Sequence, residues 1–303
     1  MKVSRRDFLQ SASTAFGVSL LDRTTTPDDL DKTIKEIRAN LLEMINEERA
    51  VENVQRVALD DFATEVATKH AWDMIRGEFT SHWGRDGLKP YHRYSFAGGT
   101  DATAENVSAA DNTWSMKGHD LKQDTAYLHV RLYQEKPPYD GHHKTILAPQ
   151  HTHVGLGIVV HDLRLRLVEL FVARYVQVKP LTRAAKPGAQ IFFEAKVRSG
   201  YEMKNIEVFY EPIPDAPEIG WLRVPRSYAL PSESRVLRRK LPPPYMYADG
   251  QQGTVEIFND GSFAAPVKLF KNTPGIYTIV TWITGNNSPQ AFPATTVCVR
   301  ASS

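Results

Sequence analysis

Two runs, Val154–Val160 and Leu163–Val178, read as antiparallel strands joined by a turn at His161-Asp162. Their centres, Gly157-Ile158-Val159-Val160 and Leu170-Phe171-Val172-Ala173, are apolar without alternation, so neither face of either strand suits water. Such strands belong in a sheet covered on both sides. The helices for that cover stand upstream. Leu30, Ile34, Ile37, Leu41 and Ile45 recur every three or four residues between Asp29 and about Val51, opposite Lys32, Lys35, Glu36 and Glu43. Asp60 and Asp61 mark the start of a second helix, with Phe62, Val66, Ala67, Ala71, Met74 and Ile75 on one face and a stop near Gly77. A third runs from about Leu121 to Glu135, ahead of Pro137-Pro138, on the stripe Leu121, Thr125, Leu128, Leu132. Glu135 continues that stripe. Either its carboxylate turns inward and needs a partner, or the last turn frays and leaves it in water.

Past Lys179 the helical period disappears. Residues 180–188, with Pro180, Pro187 and Gly188, read as a linker between a first domain over 27–179 and a second over 189–303. The second domain offers candidate strands at Ile191–Arg198, Asn205–Tyr210, Trp221–Val224, Thr254–Phe258, Phe263–Phe270, Gly275–Thr284 and Pro293–Arg300, separated by proline- and glycine-bearing turns. That spacing suggests an antiparallel β-sandwich of the immunoglobulin-like kind. The basic, proline-rich run from Arg235 to Pro244 reads as a solvated loop.

Lys and Arg nearly balance Asp and Glu, for a formal charge of +2, and no basic patch with interleaved aromatics appears, which argues against a nucleic-acid partner. Cys298 is the single cysteine, so the fold is held without an intramolecular disulfide, and its place in the last strand argues against a thiol nucleophile. Ser4-Arg5-Arg6-Asp7-Phe8-Leu9, followed by a mildly apolar run to Leu21, resembles a bacterial twin-arginine export signal, so residues 1–26 are set aside from the fold. Export by that route implies a periplasmic or extracellular protein. No other stretch is long and apolar enough for a transmembrane helix.

His142, His143, His151 and His153 fall within twelve positions, at the entry to the first apolar strand. Imidazole titrates near neutrality and ligates metals, so this stretch and the earlier His82 are candidates for chemistry. His151 and His153 have strand spacing and could share a face, but each is more often structural than a ligand, and His119, His129 and His161 are background.

In order, Leu42-x-x-Ile45-Asn46-x-Glu48-Arg49, the His82 loop, Ala104-Glu105-Asn106-Val107, Glu135, Gly141-His142-His143-Lys144-Thr145-Ile146-Leu147-Ala148-Pro149 and His153-Val154-Gly155-Leu156-Gly157 resemble the CAP superfamily. That superfamily comprises cysteine-rich secretory proteins, antigen 5 and pathogenesis-related proteins, and the likeness is to its bacterial, disulfide-free branch. It covers about residues 30–178, with alanine at 104 where the family carries glycine and Leu132 where it often carries tryptophan. The resemblance implies an α-β-α sandwich, making the whole chain α+β. It also implies a cleft lined by His82, Glu105, Glu135 and His142, in which the two histidines hold a divalent cation such as zinc and the acids orient them. The same four residues would equally make a hydrogen-bonded network that binds nothing tightly.

Two other classes stay open. A metal-dependent hydrolase would use Glu105 or Glu135 as general base; no Gly-x-Ser-x-Gly or His-Glu-x-x-His motif supports a named hydrolase type. A binding module would hold a small lipid or wall-derived ligand in the cleft, or act by adhesion through the β-domain. Ligand or metal binding is taken forward over catalysis; the oligomeric state is not readable from the sequence.

Overall fold

The computed structural model describes residues 27–111, 120–285 and 290–302. The export-signal segment 1–26 and His119 lie outside the described residues. The chain begins with α1 (Pro27–Val51), β1 (Ala58–Leu59), α2 (Asp61–Gly77), α3 (Pro90–Phe96), β2 (Ala102–Asp111), α4 (Leu121–Tyr133), α5 (Gly141–Leu147), β3 (His153–His161) and β4 (Arg164–Ala173). The four strands form one sheet in the order β1-β3-β4-β2, with β1 parallel to β3 and the other pairs antiparallel.

The two-faced strands are covered as their apolar centres require. Val154, Leu156 and Ile158 of β3, with Leu165, Leu167 and Phe171 of β4, pack against the apolar stripe of α1 and against Leu128 of α4 and Ile146 of α5. Side chains alternate along a strand, so Val159, Val168, Leu170 and Val172 emerge on the other face, under Ala63, Ala67, Ala71 and Met74 of α2. The glycines of β3 permit that contact. A Cβ on Gly155 would stand 2.2 Å from the Ala63 carbonyl carbon, and one on Gly157 would stand 2.4 Å from that of Ala67. Asp60 caps α2 by accepting the Ala63 N–H at 2.6 Å.

One local expectation is revised, and two elements form where none was expected. Helix α4 ends at Tyr133, so Glu135 lies beyond it. Pro137 and Pro138 have no N–H to bond the carbonyls of Tyr133 and Gln134, so the helix cannot be carried through them. The His142 stretch forms a short helix, α5, whose seven residues are too few to show a period. Residues 102–111 have weak strand-forming character. They are nonetheless a strand because β4 offers them an edge, in register from Ala102 opposite Ala173 to Asp111 opposite Arg164.

The chain then continues through β5 (Val176–Val178), β6 (Ala184–Ala185), β7 (Gln190–Val197), β8 (Tyr201–Glu211), α6 (Ile219–Leu222), β9 (Ser234–Arg238), β10 (Glu256–Ile257), β11 (Ser262–Lys268), β12 (Gly275–Gly285), β13 (Phe292–Pro293) and β14 (Val297–Ala301). One sheet runs β10-β11-β7-β5. The other runs β6-β14-β12-β8-β9, with β13 also on β12. Inward residues of both, among them Phe193, Phe263, Ile206 and Ile279, share one core, as in a sandwich. The pairs are antiparallel except β6 with β14. The expected long strand Leu163–Val178 breaks after Ala173, and β5 joins this second unit by pairing with β7. The expected strand Trp221–Val224 is instead part of the turn of helix α6; four residues of mixed character do not distinguish the two. The basic run expected as loop supplies β9, an edge strand on β8.

Candidate functional site

The first sheet ends at β2, and the site stands on that edge. Successive side chains of a strand point to opposite faces. Glu105 and Asn106 therefore serve different neighbours. Glu105 is buried, with His82 Nδ1 at 3.1 Å from its Oε1 and Arg93 Nη2 donating to its Oε2 at 2.7 Å. Arg93 comes from α3, and its Nη1 also donates to the carbonyls of His82 and Leu88, both at 2.7 Å. One guanidinium thus fixes the His82 loop and the carboxylate it faces. Behind them His70 bonds the Ser81 carbonyl at 2.8 Å and lies 4.0 Å from Glu105. Burial alone would raise the Glu105 pKa. The charge of Arg93 outweighs it, with His70 and the His82 hydrogen bond, and holds the group at about 2.

His142 is the second residue of α5. Its backbone N–H, one of the helix's unbonded first-turn donors, donates to Glu135 Oε2 at 3.0 Å, and its Nδ1 lies 2.6 Å from Glu135 Oε1. Glu135 reaches this position from the connection after α4, without the helical stripe. The rings of His82 and His142 are 5.9 Å apart at 39°. Each imidazole has its Nδ1 on a carboxylate, which favours the Nδ1–H tautomer and leaves a lone pair on Nε2. Among the described residues no hydrogen bond is made by either Nε2. The four residues are thus brought together as two histidine–carboxylate pairs. The His142 side chain is 28% exposed, so the pairs are reachable from solvent on that side.

A fifth member comes from the connection between β8 and β9. The Glu105 N–H donates to the Tyr228 hydroxyl oxygen at 2.9 Å, and the Tyr228 ring lies 4.8 Å from that of His82. Burial and nearby Glu105 keep that phenol protonated, well above its ordinary pKa. Neither Arg93 nor Tyr228 carries a signal readable in the sequence.

The other histidines of the stretch are structural. His143 Nδ1 bonds the Tyr133 carbonyl at 2.5 Å, and His153 Nδ1 bonds the Thr152 hydroxyl at 2.8 Å. His151 is buried against Phe171 at 5.1 Å, and burial beside Arg49 pushes its pKa down to about 3. His129, read as background, is the centre of a buried network. Its Nδ1 lies 2.6 Å from Glu169 Oε1 and its Nε2 3.0 Å from Glu48 Oε2. Asn106 joins that network to the cleft by donating to Glu169 at 3.1 Å and to the His142 carbonyl at 3.3 Å. Cys298 is buried and free, its thiol pushed up to about 12 by burial, which suits packing and not nucleophilic attack.

Among the described residues no group of three or more His, Cys, Asp or Glu is placed to hold a metal ion. What the cleft offers a cation is two imidazole lone pairs, oriented from behind by acids, with the remaining positions open.

Residues 42–175 match the sequence model of the CAP, or cysteine-rich secretory protein, family. Among solved structures, an outer surface protein from Borrelia burgdorferi is similar at 18% identity and a TM-score of 0.37, over 46% of this chain and 94% of that one. An extracellular protein containing a SCP domain from Bacillus anthracis strain Ames is similar at 22% identity and a TM-score of 0.35, over 49% of this chain and 44% of that one. No curated protein matches the chain. The helix-covered sheet and the order of its motifs agree with the family match, and residues 42–175 belong to the CAP family.

Proposed function

We propose that the cleft binds one divalent cation through Nε2 of His82 and His142, with water or an oxygen of a small ligand in the open positions. The observation that carries this reading is the pairing itself: each histidine is held at Nδ1 by a carboxylate, the usual way a metal-binding imidazole is oriented. Two nitrogen donors suit a borderline ion such as zinc, and fewer than three protein ligands make the ion exchangeable. The bound cation would supply a positive centre for a ligand oxygen. A small lipid or wall-derived molecule bearing such an oxygen fits this role. Glu105 and Glu135 act as orienting groups here. Glu105, held at about 2 with both oxygens engaged, is a poor general base, and both Glu135 oxygens are taken by His142, which favours binding over hydrolysis. We read the protein as exported, on the twin-arginine-like residues Ser4 to Leu9. No described helix is long and apolar enough to cross a membrane.

Titration of metal-free full-length protein with zinc chloride in a calorimeter tests the reading. One site per chain is expected, lost in both His82→Ala and His142→Ala. No heat with the wild type, or unchanged affinity in the two variants, refutes it.

A further inference from the structure

The connection between β8 and β9, residues 212–233, leaves the β-sandwich and lies across the CAP domain. Its course is fixed at several points. At its start Glu211, the last residue of β8, accepts from Lys89 Nζ at 2.7 Å and from the Tyr91 hydroxyl at 3.0 Å. Leu222 is fully buried in the core between α2 and the first sheet. Trp221 meets Trp83, the neighbour of His82, edge-on at 5.3 Å, and Arg223 Nε donates to the Glu78 carbonyl at 3.0 Å. A segment with a leucine in its neighbour's core is a wall and not a loose flap.

Tyr228 is where this wall meets the cleft. Glu105 lies on β2, the last strand of its sheet, so an N–H on the outer side has no ladder partner. Glu105 is itself buried, and a buried N–H left unpaired is unfavourable. The Tyr228 oxygen is the acceptor that satisfies it. The Tyr228 ring, 4.8 Å from that of His82 and 6.4 Å from that of Tyr91, also limits how far the imidazole can turn away from Glu105. Backbone and ring contacts thus converge on one pair.

We propose that the cation site is composite, and that Tyr228 of the β-sandwich is a positioning residue holding the Glu105–His82 pair in its ligating geometry. This rests on the cation reading above, but its first consequence, an ordered His82 ring, needs no metal. Two measurements on the full-length protein separate them. Imidazole NMR signals of the metal-free protein report the His82 tautomer and order. Calorimetry with zinc chloride reports affinity. In Tyr228→Ala the His82 signals shift or broaden while those of His129 stay. Zinc affinity falls about tenfold, the lower end for groups that orient a metal's ligands. Tyr228→Phe, which keeps the ring, lies between this variant and the wild type. Wild-type His82 signals in Tyr228→Ala overturn the proposal, and so does wild-type zinc affinity in a protein that binds zinc. If the wild type takes up no zinc, the cation reading fails and the His82 signals alone decide on Tyr228. Tyr228→Leu gives the same comparison should Tyr228→Ala not fold.

Discussion

Two histidine–carboxylate sets meet at β2, bridged by Asn106, and they differ in how many ring nitrogens the protein consumes. In the buried set His129 has a carboxylate on each nitrogen, Glu169 on Nδ1 and Glu48 on Nε2. Burial would lower its pKa. The two carboxylates, Glu169 foremost, outweigh that and push it up to about 10, so His129 is an imidazolium clamped between acids. It is a cross-link from α4 to α1 and β4, with no lone pair to offer. In the cleft His82 and His142 each have one carboxylate, and the second nitrogen remains open. The same residue types therefore make a structural tie or a pair with open ring nitrogens, and partner number decides which.

The sharpest way to break this distinction is to delete a histidine from each set. Removing one member of a buried, paired set leaves uncompensated charge, so His129→Ala is expected to lose about 3–5 kcal/mol of stability. Removal of the more exposed His142 by His142→Ala should cost within about 1 kcal/mol while abolishing zinc uptake. Urea denaturation measures both, and equal losses would erase the contrast.

The pH dependence of stability sharpens it further, with a limb for each direction of shift. His129, raised from 6.5 to about 10, contributes fully below about pH 6.5, and its contribution is lost as pH rises through about 10. His151, lowered by burial beside Arg49 to about 3, and His70, lowered by burial beside Arg93 to about 4, work on the acid side. They stay neutral in the fold while the unfolded chain takes up protons, so stability falls as pH drops from about 6.5 toward those values. Glu105, held at about 2, adds a loss below its ordinary 4.5. Denaturation midpoints across pH should show both limbs, and His129→Gln should flatten the alkaline one. An alkaline limb that survives in that variant belongs to another group.

The smallest effect on stability is expected at Glu135. Glu135→Gln keeps an acceptor for the His142 N–H, so stability should stay within about 0.5 kcal/mol, as for most surface changes. Zinc affinity should fall toward the lower end of the roughly 10- to 100-fold range for groups behind a metal ligand. Unchanged affinity would remove Glu135 from an orienting role.

The motif residues of α1 show how sequence likeness and physical role connect. Asn46 bonds both the N–H and the carbonyl of Val57, at 2.7 and 2.9 Å. Arg49 is buried and donates to the carbonyls of Gln55, Ile146, Ala148 and His151, pinning the turn between α5 and β3. These residues hold the frame on which His142 is mounted. Glu48, between them, serves His129. A motif marks such residues without saying whether they bind a ligand or a carbonyl.

The patterning of single segments was enough to establish a sheet buried on both faces, its amphipathic helices α1, α2 and α4, and the mainly β character of the second half. Each of these depends on which face of a segment must leave water, and the spacing of apolar residues states that directly. The strand β2, with poor strand formers, exists because β4 offers it an edge, and a segment's own residues do not report a neighbour. The same holds for the site. Arg93 behind Glu105, both acids on His129 and Tyr228 on His82 are meetings of residues far apart in the chain, set by register, helix placement and the path of the β8–β9 connection. A polar group's role depends on its partners, and those partners are chosen in three dimensions.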